Sequence, residues 1–162
     1  MASIQNHIRA ALESKLAATS GIPSGIAFEN IPFSPTTGTS YFQTNYLPTL
    51  RRPAVRGLNP QQRYDGVFVI TAYTPEGYGP KAADDYSDLI ATAFEATTHI
   101  YYSHSEDRLL TEAEAFITLE DGGRILVDNA IDVSIDYAER QQGFLDAPWY
   151  YVPTNIGWYV YN

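Results

Sequence analysis

The chain has no cysteine among its 162 residues. That excludes disulfides, thiolate metal sites and a cysteine nucleophile. It fits a protein made in a reducing cytoplasm. No apolar run approaches the roughly 18 residues of a membrane-spanning helix. Met1 to Ala18 is a polar, helix-like segment without the apolar centre of a secretion signal. The sequence therefore reads as soluble, with no membrane partner. It also lacks a G-x-S-x-G elbow, a phosphate loop and a dinucleotide fingerprint. Gly77-Tyr78-Gly79 is a turn, not a phosphate cradle. No local motif arranges the three histidines into a triad. The expectation is a protein without cofactor, metal or catalytic residues.

What is present is one domain's worth of chain, 1–162. A chain of this size can bury roughly 70% of its unfolded surface and needs no staple. Aromatics are numerous, with 13 Tyr, 7 Phe and 2 Trp. Tyrosine pairs an apolar ring with a polar tip, which suits interfaces as well as strands. The net charge of −9 is unevenly placed. Residues 1–63 hold six basic and two acidic groups, so 6 − 2 = +4, and residues 64–162 hold four basic and seventeen acidic ones, so 4 − 17 = −13. If the halves face apart, copies of the chain would attract head to tail; otherwise the split is ordinary solvated charge.

Periodicity gives the elements. Ile4, Ile8, Leu12 and Leu16 recur every four residues, with Ser3 as a possible N-cap and Gly21 and Pro23 beyond the end. A short strand at Ile26–Asn30 leads through Pro32–Gly38 to a strand at about Tyr41–Leu47. Pro48 to Arg63 reads as a polar loop, long for a compact domain. Arg63–Thr74 is a strand with apolar residues on both faces, which predicts a central strand covered on both sides. A Pro- and Gly-rich turn precedes a helix over Lys81–Thr97, whose Asp84, Asp85 and Asp88 suit its positive end. His99–Asp107 reads as a short strand and a polar turn. Glu114–Leu119 and Arg124–Tyr137 read as a hairpin, Gln141–Pro148 as a loop, and Trp149–Tyr161 as a last strand. Pro153 in that strand predicts an edge, a bulge or a strand end. The order α-β-β-β-α-β-β-β is that of an α+β fold: a mainly antiparallel or mixed β-sheet with two α-helices packed on it.

Several clusters have the makings of a site. His99 and His104, with Glu106 and Asp107, resemble half a metal site, but no third ligand stands at a telling spacing; a polar turn is the simpler account. His7 falls on the flank of the first helix. Asp128, Asp132 and Asp136 share one face of a strand. Residues four apart on a strand are roughly 13 Å apart, too far to chelate one ion or to form a glycosidase pair at about 5–9.5 Å. They read as a solvated acidic stripe. Arg51, Arg52, Arg56 and Arg63 could bind phosphates, yet the chain is acidic and Tyr64 is the one aromatic among them. A basic loop that docks on an acidic neighbouring subunit is the better expectation.

Three separated segments share a pattern. Glu29–Phe42 has the arrangement E-N-x-P-F-x-P-x-x-G-x-x-Y-F and runs on to Leu47-Pro48. Arg63-Tyr64-Asp65-Gly66 continues into Val67–Thr71 and then Pro75-Glu76-Gly77-Tyr78-Gly79. Trp149-Tyr150-Tyr151-Val152-Pro153-Thr154-Asn155-Ile156-Gly157-Trp158 closes the chain. With the first helix, these resemble the tail terminator proteins of long-tailed phages over most of the chain and in the same order. Between His99 and Asp146 the chain departs from the pattern, with a hairpin elaboration at about 105–137 and the acidic stripe.

The resemblance implies a structural virion protein of the tail or neck, assembled in the host cytoplasm. It implies a homo-oligomeric ring, typically a hexamer. The ring would cap the head-proximal end of the tail tube, stop its polymerisation and offer a joining surface. The implied partners are the chain itself, the tail tube protein and a head-completion or stopper protein. DNA would pass through the lumen without specific binding. In that setting Arg51, Arg52, Arg56 and Arg63 become candidate intersubunit contacts, and Asp128, Asp132 and Asp136 a candidate lumen-facing stripe. A head–tail adaptor, stopper or other neck protein is the alternative; an uncharacterised cytosolic enzyme is a third reading from another class.

Overall fold

The computed structural model describes residues 3–57, 60–108 and 126–162, with the backbone path alone for 104–108 and 126–129. The first helix, α1 (Ile4–Ala17), starts where Ser3 accepts a hydrogen bond from the Asn6 amide, as the capping residue predicts. Ile8, Ala11, Leu12 and Leu16 form its buried stripe. It stops before Gly21, whose φ of +83° is a backbone state that side chains disfavour. The second helix, α2 (Lys81–Ala93), buries Ala83, Ser87 and Ile90, with Phe94 at its C-cap. It is shorter than the expected Lys81–Thr97; Thr97 already lies in the left-handed region.

Among the described residues seven strands form one mixed sheet: β1 (Gly25–Ala27), β2 (Tyr41–Pro53), β3 (Gln62–Pro75), β4 (His99–Arg108), β5 (Leu126–Arg140), β6 (Phe144–Asp146) and β7 (Trp149–Tyr161). The order across it is β1-β2-β3-β7-β5-β4, with β6 on the β5 side of β7. β1 runs parallel to β2; the other pairs are antiparallel. Both helices pack on one face, α1 over β4 and β5, α2 over β7, β3 and β5. This is the α+β arrangement expected from the sequence.

Four local readings change. Half of the loop expected from Pro48 to Arg63 is strand: β2 runs on to Pro53 and pairs with β3 down to Pro53↔Gln62. Thr49 is the extra residue where the register shifts between Pro48 and Leu50, and its hydroxyl donates to the Asp65 carbonyl at 3.1 Å. Polar composition hid this strand, because its side chains lie in water on both faces. His99 onward is a full strand paired with β5, from His99↔Ser134 to Arg108↔Leu126. The expected strand Glu114–Leu119 lies outside the described residues. The expected 141–148 loop includes β6, which pairs with β7 through Phe144↔Tyr151. Finally, β3 is central, but among the described residues helices cover one of its faces only.

Pro153 has its own resolution. On its β6/β5 side, β7 pairs with β6 at 149–151 and with β5 from Thr154 onward. The Pro153 carbonyl accepts from the Gln141 amide at 2.8 Å. In an extended strand the nitrogen of a residue points the same way as its carbonyl, so the missing N–H falls in the gap between two partners.

The core lies between the helices and alternate strand residues: Phe42 and Tyr46 on β2, Tyr64, Phe68 and Ile70 on β3, Ile156, Trp158 and Val160 on β7, with Val133 and Ile135 on β5. Trp158 lies across Gly66 and stacks on Tyr46, with ring centroids 5.3 Å apart and planes 7° from parallel. A Cβ at Gly66 would lie 2.2 Å from the Trp158 ring and 2.7 Å from the Leu47 carbonyl oxygen. The glycine of the Arg63–Gly66 segment is therefore the seat of the tryptophan. Gly66→Ala is expected to displace the indole and cost about 1–3 kcal/mol, in the range of overpacked cores. The readout is the urea midpoint; an unchanged midpoint would show that Trp158 is not held there.

Candidate assembly surface

The sheet face away from the helices carries a run of aromatic side chains at one end. Tyr41 of β2 stacks on Tyr73 of β3 at 4.6 Å, and Tyr73 meets Tyr151 of β7 at 5.3 Å. Phe144 of β6 extends the run onto Tyr151, and Phe33 packs on Tyr41. Trp149 meets Tyr41 edge-on at 5.2 Å. Such contacts add to the burial of each ring. Partial burial pushes the Tyr41 and Tyr73 phenols above their ordinary range, each further raised by a neighbouring tyrosine. They are neutral hydrogen-bonding groups at physiological pH.

This end is where the three patterned segments converge. The stretch after β1 turns at Phe28–Ile31, with Asn30 at φ +59°, and runs to Tyr41. Arg9 of α1 holds Glu29 at 3.3 Å. A cleft of about 340 Å³ opens between this stretch and β2, lined by Glu29, Ile31, Phe33, Pro35, Tyr41 and Asn45 among others. The Glu76 amide donates to the Pro148 carbonyl at 3.1 Å, joining the turn after β3 to the start of β7. Ile31, Tyr78 and Leu145 stand exposed around it.

The opposite end of the sheet is basic. Beyond Tyr46, β2 leaves the core and forms an arm with the start of β3, exposing Leu47, Leu50 and Val55. The four candidate arginines lie here, in different circumstances. Arg63 lies over Tyr159 at 4.6 Å and near Tyr161, and its guanidinium donates to Asp65 at 2.7 Å. Those bonds raise its pKa further. It is committed to holding the root of the arm. Arg52 approaches the same carboxylate at 3.8 Å, and Arg51 lies over Tyr64 at 5.4 Å. Arg56 is exposed in the bend and makes no ion pair among the described residues.

The acidic candidates lie across the sheet on β5. Asp132 takes the His99 Nδ1 at 2.9 Å. Asp136 is exposed and is the extra residue of a bulge between Ile135 and Tyr137. The side chain of Asp128 lies outside the described residues, as do those of His104, Glu106 and Asp107. Ser134 also approaches His99, at 3.4 Å, but on the same Nδ1 that Asp132 occupies. A relay needs the acid and the hydroxyl on opposite ring nitrogens, so this trio is not a catalytic triad. Among the described residues no three His, Asp or Glu gather as a metal site, and no helix is long and apolar enough to cross a membrane. His7 is half-exposed on α1.

The sequence reading missed the aromatic run and Asp65. A signal was present: tyrosines at alternate positions in facing strands belong to one surface. What was missing was the register that places Tyr41, Tyr73 and Tyr151 side by side.

The described residues form an α+β module: a mixed sheet with both helices on one face and an arm projecting from one end. The chain belongs to the phage tail terminator family, since the family described as phage tail terminator protein matches residues 7–158. It is a structural protein of the phage tail, from a family that is not enzymatic. No protein in a search of curated sequences matches it. One solved chain superposes with a TM-score of 0.62 at 19% identity, over 98% of this chain and 96% of its own. At that identity the likeness concerns the fold.

Proposed function

We propose that the protein is a ring-forming tail terminator. It caps the head-proximal end of the tail tube, stops tube growth and presents the surface on which head-completion proteins join, at the neck of the virion. The family match over residues 7–158 carries this reading. The surface supports it: a closed ring needs two different complementary patches on each subunit, and this one has a basic arm and an acidic far side. A hexamer is the expected ring. Mass in solution, measured with and without tail tube protein, tests the reading. Rings that block tube growth are expected; monomers that leave growth unaffected would refute it, and localisation elsewhere in the neck would favour an adaptor or stopper.

Arg51, Arg52 and Arg56 make an intersubunit contact in this proposal, while Arg63 keeps its role at the arm root. Reversing the three to Glu is expected to yield monomers by light scattering with an unchanged circular dichroism spectrum. Unchanged rings would remove the arginines from the interface.

The acidic stripe lines the lumen, where a negative wall repels DNA phosphates and keeps the DNA mobile. Replacing Asp128, Asp132 and Asp136 by Asn is expected to leave ring formation intact and to slow DNA delivery. Normal infection by the assembled variant would sink this assignment. It adds no affinity for DNA and needs no cofactor.

A further inference from the structure

The two ends of the sheet expose opposite surfaces. The arm carries Arg51, Arg52 and Arg56, with no acidic residue between Leu47 and Gly57. It also holds Leu50 and Val55 out in water, Val55 at 64% exposure. The aromatic end exposes Phe144, Leu145 and Tyr78, Leu145 at 69%. Its segments 75–80 and 141–152 contain Glu76 and Asp146 and no Lys, Arg or His. We propose that the arm of one copy docks on the aromatic end of the next: Leu50 and Val55 pack on Phe144 and Leu145 beside Tyr151, and Arg56 faces Asp146 and Glu76. This rests on the ring reading above and names where its arm lands.

Three observations carry it. First, the charges on both sides are available. Glu76 and Asp146 are exposed, and among the described residues neither they nor Arg56 make an ion pair. Asp146 stands beside the aromatic run, since its charge helps to raise the Tyr73 phenol. The Glu76 amide is bonded to Pro148, two residues further on. The next cation along, Lys81, is held by Asp85. Second, each surface joins apolar side chains to charge of one sign, so the two together bury apolar area and match charge at once. Arm on arm would oppose arginines, and aromatic end on aromatic end would oppose carboxylates, so the unlike pairing is favoured. Third, the arm cannot reach its own aromatic end. β2 runs from Tyr41 in that end to Pro53 in the arm, 13 residues, or roughly 40 Å of strand. The occupant therefore comes from another copy. The contact is heterologous, the kind that closes a ring.

Charge exchange tests it. Asp146→Arg and Arg56→Glu are each expected to raise at least tenfold the concentration at which half the chain is in rings, by light scattering, with unchanged circular dichroism. Mixing the two variants one to one is expected to restore rings, because the reversed arm of one meets the reversed landing site of the other. Val55→Cys combined with Leu145→Cys, in a chain with no cysteine of its own, is expected to give a covalent ladder up to ring size on oxidation, which neither single variant gives. Wild-type rings with no restoration on mixing and no ladder overturn the docking and leave the ring reading standing. Dimers from Val55→Cys alone show an arm-on-arm contact and overturn it too. Normal rings of Asp146→Arg that no longer block tube growth put the aromatic end against the tube instead. A wild type that forms no ring at any concentration, with or without tube protein, removes the ring reading and this docking with it.

Discussion

Trp158 lying on Gly66 is the contact on which the rest of the structure depends. The indole belongs to β7 and crosses β3 at the one position without a side chain, reaching Tyr46 on β2. One ring thereby ties three strands into a layer. It is 2% exposed, and burying so large an apolar side chain contributes a few kcal/mol, about 1.5–3 even for smaller residues. Tyr46 passes the contact on to α1: its hydroxyl donates to Gln5, and Arg9 lies over its ring at 5.1 Å. Burial raises the Tyr46 phenol well above its ordinary range, with Arg9 opposing the shift. Arg9 in turn holds Glu29. The helix, the stretch after β1 and the three central strands are linked through this stack.

The same place is gripped from the other face. Arg63 pairs with Tyr161 across β3 and β7, lies over Tyr159, and is bonded to Asp65. Gln62 and Asn162 exchange two backbone hydrogen bonds beside it, at 2.7 and 2.9 Å. The root of the arm is therefore fixed by apolar packing inside and by a charged, aromatic contact outside. Further out the arm has little but its own ladder, closed at the tip by the Ala54 amide donating to Gln61. A firm root and a bare tip suit the contact role proposed for the arm.

The sequence disclosed the parts of the fold whose burial is one-sided. The stripe of α1, its Ser3 cap and the alternation of β3, β5 and β7 were legible, because water and core select different residues at a fixed period. The second half of β2 was not. Exposed on both faces, Leu47–Pro53 has no alternation to read, and its prolines and arginines look like a loop. Pro153 was readable as an interruption but not as a gap between two partners, since that depends on where β6 ends. Of the surface, the arginines and the acidic residues stood out as charges. Whether a charge is free or committed was not visible: Arg63 is bound to Asp65 and Asp132 to His99, while Arg56 makes no ion pair among the described residues. The tyrosines were counted without being placed, because their layer exists only once the register is known.

The proposed ring requires that angle be controlled more tightly than affinity. A head-to-tail contact closes into a ring only if the rotation from one copy to the next is right; otherwise it continues as a filament. In the proposed ring that rotation is set partly by the direction in which the arm leaves the sheet. Three features fix that direction. The indole holds β2 down at Tyr46, Thr49 makes the bulge that bends the strand, since an extra residue increases local twist, and Arg63 clamps the β3 side. This explains how a pattern rich in Pro, Gly and Trp can define a family of structural tail proteins. Residues such as Gly66 and Trp158 are inside the molecule. They set geometry, and in the proposed ring the exposed residues beyond them supply the contact.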